Sequence, residues 1–298
     1  MRVFLTGATG FVGSAIVSEL LGAGHQVLGL ARSDAAARSL AASGADVHRG
    51  ALDDLDSLRR GAAAADGVIH TAFIHDFSNI AASAETDRVA IEALGAALEG
   101  SARPLVVTSA IGLLKPGRVG TEDDLPDPSS GGAHRVASER AALSLAARSV
   151  RVSVVRLPPS VHGDGDHGFV PFLVRIAREK RISAYVGEGR NRWSAVHRLD
   201  SAQLYRLALE NGPAGATFHG VADEGVPSRE IADVIGKRLD VPVVSKSPGD
   251  AAGHFAWLAR FFALDIPASS TRTQEQLGWR PRQPGLIADL ERGSYFEP

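Results

Sequence analysis

Three glycines at intervals of three, Gly7, Gly10 and Gly13, stand in Thr6-Gly7-Ala8-Thr9-Gly10-Phe11-Val12-Gly13, between a strand-like apolar run and an Ala-rich segment of helical period. The chemistry of that spacing is anion binding. Gly7 permits a tight turn, Gly10 lets the backbone approach a pyrophosphate, and Gly13 lets the helix pack closely on the strand. The helix N-terminus adds amide donors and the positive end of its dipole. Thr9, Phe11 and Val12 join the glycines as expected dinucleotide contacts. After the next strand the chain reads Leu28-Gly29-Leu30-Ala31-Arg32-Ser33, with no acid before Asp34. A carboxylate there would hold the ribose 2′-hydroxyl of NAD, whereas a 2′-phosphate requires a cation. Arg32 offers bidentate donors and Ser33 a hydroxyl, so NADP(H) is the preferred cofactor and NAD(H) the alternative.

Missing residue types exclude other chemistry. The absence of cysteine rules out disulfides, thiolate nucleophiles and Cys-ligated zinc. The ten histidines form neither HExxH nor His-x-His, and Asp164-x-Asp166 lacks the remaining ligands of a calcium loop, so no metal site is expected. No GxSxG elbow supports a hydrolase. With 32 basic against 34 acidic residues, the net charge of −2 offers no field for nucleic acid or an anionic membrane. The start Met1–Thr6 is strand-like rather than a secretory signal, and no apolar run approaches the roughly 20 residues that span a bilayer. The expected setting is cytoplasmic, with a small-molecule substrate and a homodimer as the prior for assembly.

These residues need a scaffold, and 298 residues with 44% apolar content can bury one. Strands are expected at Val3–Thr6, Gln26–Leu30, Asp46–His48, Gly67–Thr71, Leu105–Ser109 and Val152–Arg156. Helices are expected between them at Phe11–Ala23, Asp34–Ala42, Leu55–Ala64, Ala84–Glu99 and Ala133–Ala147. Such alternation marks βαβ units, and near-continuous apolar strands imply helices on both sheet faces. The fold class is therefore α/β: a Rossmann-type, doubly wound parallel sheet over residues 1–157. A smaller C-terminal substrate lobe over 158–298 packs on it, with some segments returning to the sheet. Its helices are expected near Val170–Arg178, Ser201–Glu210, Ser228–Arg238 and Ala251–Phe261, each bounded by Gly, Pro or Asp.

The form TGxxGxxG resembles the short-chain dehydrogenase/reductase superfamily, in its extended, epimerase/dehydratase-like branch. So do Leu52-Asp53 after the third strand, His70-Thr71-Ala72 after the fourth, Arg156-Leu157-Pro158-Pro159-Ser160-Val161-His162-Gly163, and Ala195-Val196-His197-Arg198-Leu199-Asp200. The resemblance covers most of the chain. It implies that Leu52 and Asp53 contact adenine, that Thr71, Ala72 and Thr108 line the dinucleotide, and that Pro158, Ser160 and Val161 lie beside the nicotinamide. His162 stands where the family's VYG segment has its aromatic, and is expected near the nicotinamide.

In that superfamily a Tyr-x-x-x-Lys pair on the helix after the fifth strand performs the proton chemistry. Here the tyrosines are Tyr185, Tyr205 and Tyr295, no lysine lies between Lys115 and Lys180, and the corresponding segment reads Gly131-Gly132-Ala133-His134-Arg135-Val136-Ala137-Ser138-Glu139-Arg140. Three registers remain open, placing His134/Ser138, Arg135/Glu139 or Gly131/Arg135 at the paired positions. Ser109, in Val107-Thr108-Ser109-Ala110, is the nearest hydroxyl. His134 could relay a proton, and Arg135 could stabilise developing negative charge. His75, Asp76, His167, Trp193 and His197 are further candidates to face a substrate. The leading expectation is an NADP(H)-dependent oxidoreductase moving hydride between nicotinamide and a small carbonyl or alcohol. The alternatives are an NADP(H)-binding sensor without turnover and a nucleotide-sugar epimerase/dehydratase.

Overall fold

Runs with almost no polar side chain are stable only where both faces are covered, and the chain folds to bury them at its centre. The computed structural model describes every residue except Phe77 and Pro298. The first half runs β1 (Arg2–Thr6), α1 (Phe11–Gly22), β2 (Gln26–Ala31), α2 (Asp34–Ala42), β3 (Asp46–Arg49), α3 (Leu55–Ala63), β4 (Gly67–His70), α4 (Ile80–Leu98), β5 (Pro104–Ala110), α5 (Val136–Ser144) and β6 (Arg151–Leu157). Then come β7 (Ser160–His162), α6 (Phe169–Lys180), β8 (Ser183–Val186), β9 (Arg192–His197), α7 (Arg198–Asn211), β10 (Ala216–His219), β11 (Asp223–Pro227), α8 (Ser228–Leu239) and β12 (Val243–Lys246). Short helices at Ala251–Phe255, Ala259–Phe262, Thr271–Leu277 and Leu286–Arg292 follow.

The central sheet has the order β10-β6-β5-β4-β1-β2-β3, and all neighbours are parallel. Chain order reverses between β1 and β4, whose C-terminal residues Thr6 and His70 stand opposite each other. The glycine-rich turn therefore opens at the switch point where such sheets bind ligands. One sheet face packs Ile16 and Leu20 of α1 with Leu204, Tyr205 and Leu209 of α7. The other packs Leu58, Ile91, Leu94 and Leu145. Both α7 and the edge strand β10 come from beyond residue 158, with Ala216 in register with Ser153. The second lobe has its own core, around Trp193, Ile231, Phe255 and Phe262. Among the described residues no helix is long and apolar enough to cross a membrane.

Several elements depart from the sequence expectation for local reasons. α4 begins at Ile80 rather than Ala84. The 133–147 segment holds a regular helix only over Val136–Ser144, flanked by tighter 3₁₀ turns, and ends at Ser149 in a left-handed conformation, φ 58°. The single helix expected over Ala251–Phe261 is interrupted at Ala256, φ 51°. Strands β8 to β12 and the helices Thr271–Leu277 and Leu286–Arg292 carry too little periodicity to be read locally.

Candidate active site

The turn between β1 and α1 is built by close backbone approach. Gly7 has φ +72°, and a Cβ there would lie 2.7 Å from both the Ala72 nitrogen and Thr71 Oγ1. The Gly10 amide donates to the Gly7 carbonyl at 2.9 Å. A Cβ on Gly13 would stand 2.0 Å from that same carbonyl oxygen. α1 starts at Phe11 with no side-chain cap and no acid in its first turn, so its first amides remain available to an anion. Thr9 and Gly10 are exposed beside them. A cradle from which side-chain carbon is sterically excluded, ending in uncapped amides, fits the pyrophosphate of a dinucleotide.

Arg198, at the start of α7, adds positive charge to this cradle. Its guanidinium lies 4.6 Å over the Phe11 ring and donates to Ser14 Oγ and the Asp164 carbonyl, each at 2.8 Å. Sequence reasoning named the stretch containing Arg198 but not the residue, because 184 positions separate it from Ser14. At the end of β2, Arg32 is exposed. Ser33 accepts from the Ala36 amide as the N-cap of α2, leaving its hydroxyl hydrogen to donate elsewhere. Asp34, the carboxylate that follows, is bonded to Arg49 at 2.6 Å. Leu52 packs under the turn after β3, and Asp53 is exposed.

A buried polar chain crosses the C-terminal ends of β1, β4 and β5. Thr6 Oγ1 receives the Ala72 amide at 3.3 Å and pairs with His70 Nδ1 at 2.8 Å; His70 Nε2 reaches Asp87 Oδ1 at 3.1 Å. One tautomer satisfies all of this: Thr6 donates to Nδ1, and Nε2–H donates to the carboxylate. The other Asp87 oxygen faces Arg135 Nη1 at 3.5 Å, while Nη2 donates to the Thr108 carbonyl at 2.6 Å. Burial drives the Asp87 carboxyl upward, but the His70 bond and the Arg135 charge outweigh it and hold the group below its ordinary range. Thr108 Oγ1 donates to the His70 carbonyl and accepts from Tyr205, whose enclosed hydroxyl is pushed upward by burial. Asp87 was not anticipated, although a lone acid within the apolar stripe Ala84, Ala90, Ile91 and Leu94 of α4 is a legible signal.

Of the three registers left open by the sequence, the structure leaves few groups free. Gly131 faces Leu264 and Phe261 of the second lobe. Ser138 is buried against the Ala84 carbonyl, and both Glu139 oxygens hold the buried Arg156 guanidinium. Arg135 and His134 remain, with Arg135 stacked 4.2 Å over Phe73 and His134 half-buried at 6.2 Å from that ring. Ser109 Oγ is buried without a partner among the described residues. Burial and the Arg135 charge lower the His134 pKa, so the neutral imidazole dominates at neutral pH. His75 lowers it as well, and Asp87 raises it; removing the guanidinium takes away the larger of the two charge effects that lower it. In Arg135→Gln the His134 pKa should therefore rise, by an NMR titration of its ring protons; an unchanged or lower value would contradict this electrostatic coupling.

Three expectations need correcting. His162 is enclosed rather than open to a ligand: its Nδ1 bonds Asp289 at 2.8 Å, beside Tyr295, which accepts from the Gly163 amide. Trp193 has no exposed surface and is core, because β9 lies between β7 and β11 under α6. His197 is also buried, edge-on to His162. Pro158 is buried, Ser160 Oγ is buried without a partner among the described residues, and Val161 packs on the main core. His167 is exposed and meets the Phe11 ring at 5.7 Å. His75 and Asp76 lie in the loop after β4; among the described residues no cluster of three or more His, Asp or Glu is placed to hold a metal ion.

Residues 3–219 match the model of the NAD dependent epimerase/dehydratase family. An uncharacterized protein of Schizosaccharomyces pombe is 49% identical over 99% of this chain and 100% of its own length. The 4-hydroxy-2-methyl-3-oxo-4-farnesyl-3,4-dihydroquinoline-1-oxide ketoreductase of Stigmatella aurantiaca is 31% identical, over 73% of this chain and 67% of its own. Among solved structures, the dTDP-glucose 4,6-dehydratase of Streptomyces venezuelae, with NAD and TYD bound, superposes with a TM-score of 0.78. It is 21% identical and covers 98% of this chain and 95% of its own.

Proposed function

Because this chain belongs to the NAD dependent epimerase/dehydratase family, we propose that it is an NADP(H)-dependent oxidoreductase that interconverts a carbonyl compound and its alcohol. The observation that carries this reading is Arg135: a buried cation held on the Thr108 carbonyl near the end of β5, one residue before Ser109, whose buried hydroxyl has no partner among the described residues. A dinucleotide, when bound, supplies or takes up the hydride. The chain's own residues do the rest. The first-turn amides of α1 and Arg198 hold the phosphates, and Arg32 holds a 2′-phosphate. Ser109 Oγ donates to the substrate oxygen, and Arg135 stabilises the negative charge that develops there. His134, neutral at the working pH, passes the solvent proton that completes the alcohol. The ketoreductase name of the Stigmatella aurantiaca relative supports reduction over isomerisation.

Cofactor choice is tested at Arg32. Arg32→Ala should weaken NADPH by about 10- to 100-fold, the loss of a charge-assisted contact, and change NADH by less than about threefold. Calorimetric titration with both dinucleotides decides the matter, and equal losses would remove the 2′-phosphate assignment. Oxidation of NADPH by a carbonyl compound tests turnover; tight NADPH binding without turnover across a broad carbonyl panel would favour a sensor.

A further inference from the structure

A band of aromatic rings in the second lobe runs along its border with the dinucleotide-binding half. Phe169 opens α6 two residues after His167, whose ring meets Phe11 of the glycine-rich turn. The Phe169 ring packs on Phe261 at 4.9 Å and on Trp257 at 6.0 Å. Phe261 reaches the connection between β5 and α5, where a Cβ on Gly112 or Gly131 would lie 3.6 or 3.9 Å from its ring. The band thus extends from the phosphate-binding end of α1 to the segment that carries His134 and Arg135. Its rings are incompletely covered: Phe169 and Phe261 are half-buried, and Trp257 is 50% exposed.

Two cations along this border, Arg192 and Arg175, are already engaged. Arg192 donates three times to Asp265, from its amide at 2.8 Å and from Nε and Nη2 at 3.0 and 2.9 Å. Arg175 lies 4.8 Å over the Phe172 ring. A nucleoside diphosphate needs cations or free helix amides to replace its hydration, and along Phe169, Trp257 and Phe261 it would meet mainly rings, with the exposed Arg260 beside them. A flat apolar molecule instead covers exposed ring surface and gains stacking contacts.

We propose that the substrate is an apolar carbonyl compound with a planar aromatic body, stacked on Phe169, Trp257 and Phe261 with its carbonyl toward Arg135, and not a nucleotide sugar. The direction of reaction rests on the oxidoreductase reading above; the substrate class rests on the aromatic band. Reduction adds a hydride from NADPH to the carbonyl carbon and a solvent proton to its oxygen, leaving the alcohol and NADP⁺.

The test uses the full chain with 2-acetonaphthone as probe and UDP-glucose as competitor, read by tryptophan emission and calorimetry. Trp193 and Trp279 are fully enclosed, so Trp257 should dominate quenching by the probe. Phe169→Ala and Phe261→Ala should weaken probe binding by about tenfold or more and leave NADPH binding unchanged. Phe169→Leu, which keeps most of the apolar volume, should show a smaller loss and guards against misfolding of the alanine variant. Trp257→Phe should abolish quenching while calorimetric binding persists. Displacement of the probe by UDP-glucose, or probe binding insensitive to Phe169 and Phe261, would overturn the proposal. Ring-dependent probe binding without NADPH oxidation would support the substrate site and sink the oxidoreductase reading. Oxidation of NADPH by acetone, with no binding of 2-acetonaphthone, would do the reverse.

Discussion

Arg135→Gln should lower kcat for carbonyl reduction by about 10²- to 10³-fold, the range found when one preorganised oxyanion donor is removed, with NADPH affinity changed by less than about tenfold. The size of the effect follows from how the cation is held. The Thr108 carbonyl, the Asp87 carboxylate and the Phe73 ring fix the guanidinium before any substrate arrives, and His70 and Thr6 fix Asp87 in turn. Little reorganisation therefore remains to be done during the reaction. The same substitution leaves a buried carboxylate without its cation, at a cost of about 3–5 kcal/mol of stability. Because the Asp87 pKa is depressed in the fold, its contribution is present above the unfolded carboxylate range and is lost as pH falls through the lower folded value. The variant should accordingly lose most stability at neutral pH and least in acid, as thermal melts across pH would show. A double variant, Asp87→Asn with Arg135→Gln, removes both charges and should recover stability without recovering turnover. Recovery of both would make Arg135 a structural residue only.

Gly13→Ala should abolish measurable dinucleotide binding, with a loss of more than about 100-fold, and destabilise the protein by about 3 kcal/mol. The added methyl would overlap the Gly7 carbonyl oxygen at 2.0 Å, and backbone on both sides of the contact leaves no flexible side chain to move aside. Relief requires α1 to shift away from β1, which carries the first-turn amides out of the cradle. Gly22→Ala, at the other end of the same helix, meets nothing within 4 Å and should be neutral or stabilising by up to about 1 kcal/mol. Melting curves and NADPH titrations of the two variants separate helix propensity from steric exclusion. Near-normal binding by Gly13→Ala would mean that close helix-strand approach is not what shapes the phosphate site.

What could be read along the chain is whatever depends on neighbours in sequence. α2 occupies Asp34–Ala42 as expected, since Ser33 caps it and its apolar residues repeat at helical period. The central strands lie within a residue or two of their expected ends because burial on both faces demands unbroken apolar runs. The glycine spacing similarly announced a cradle, because turn, approach and packing are all local demands on missing side chains. The reacting end was not legible in the same way. Whether His134, Arg135, Ser138 or Glu139 faces the site depends on what each meets across the fold. Glu139 meets Arg156 on β6, Ser138 meets α4, and Gly131 meets Leu264 and Phe261 from the end of the chain. Asp87 acquires its role only because α4 sets it between His70 and Arg135, 17 and 48 positions away. His162 and Trp193 lost their expected places to the same cause, since the helix Leu286–Arg292 and strand β11 close over them. Sequence by itself determined six of the seven strands of the sheet, the helices between them and the glycine-rich cradle, because these answer to periodicity and backbone sterics. Tertiary packing alone decided the charge and the apolar surface at the reacting end, because an ion pair or a ring stack has no signature until its distant partner is in place.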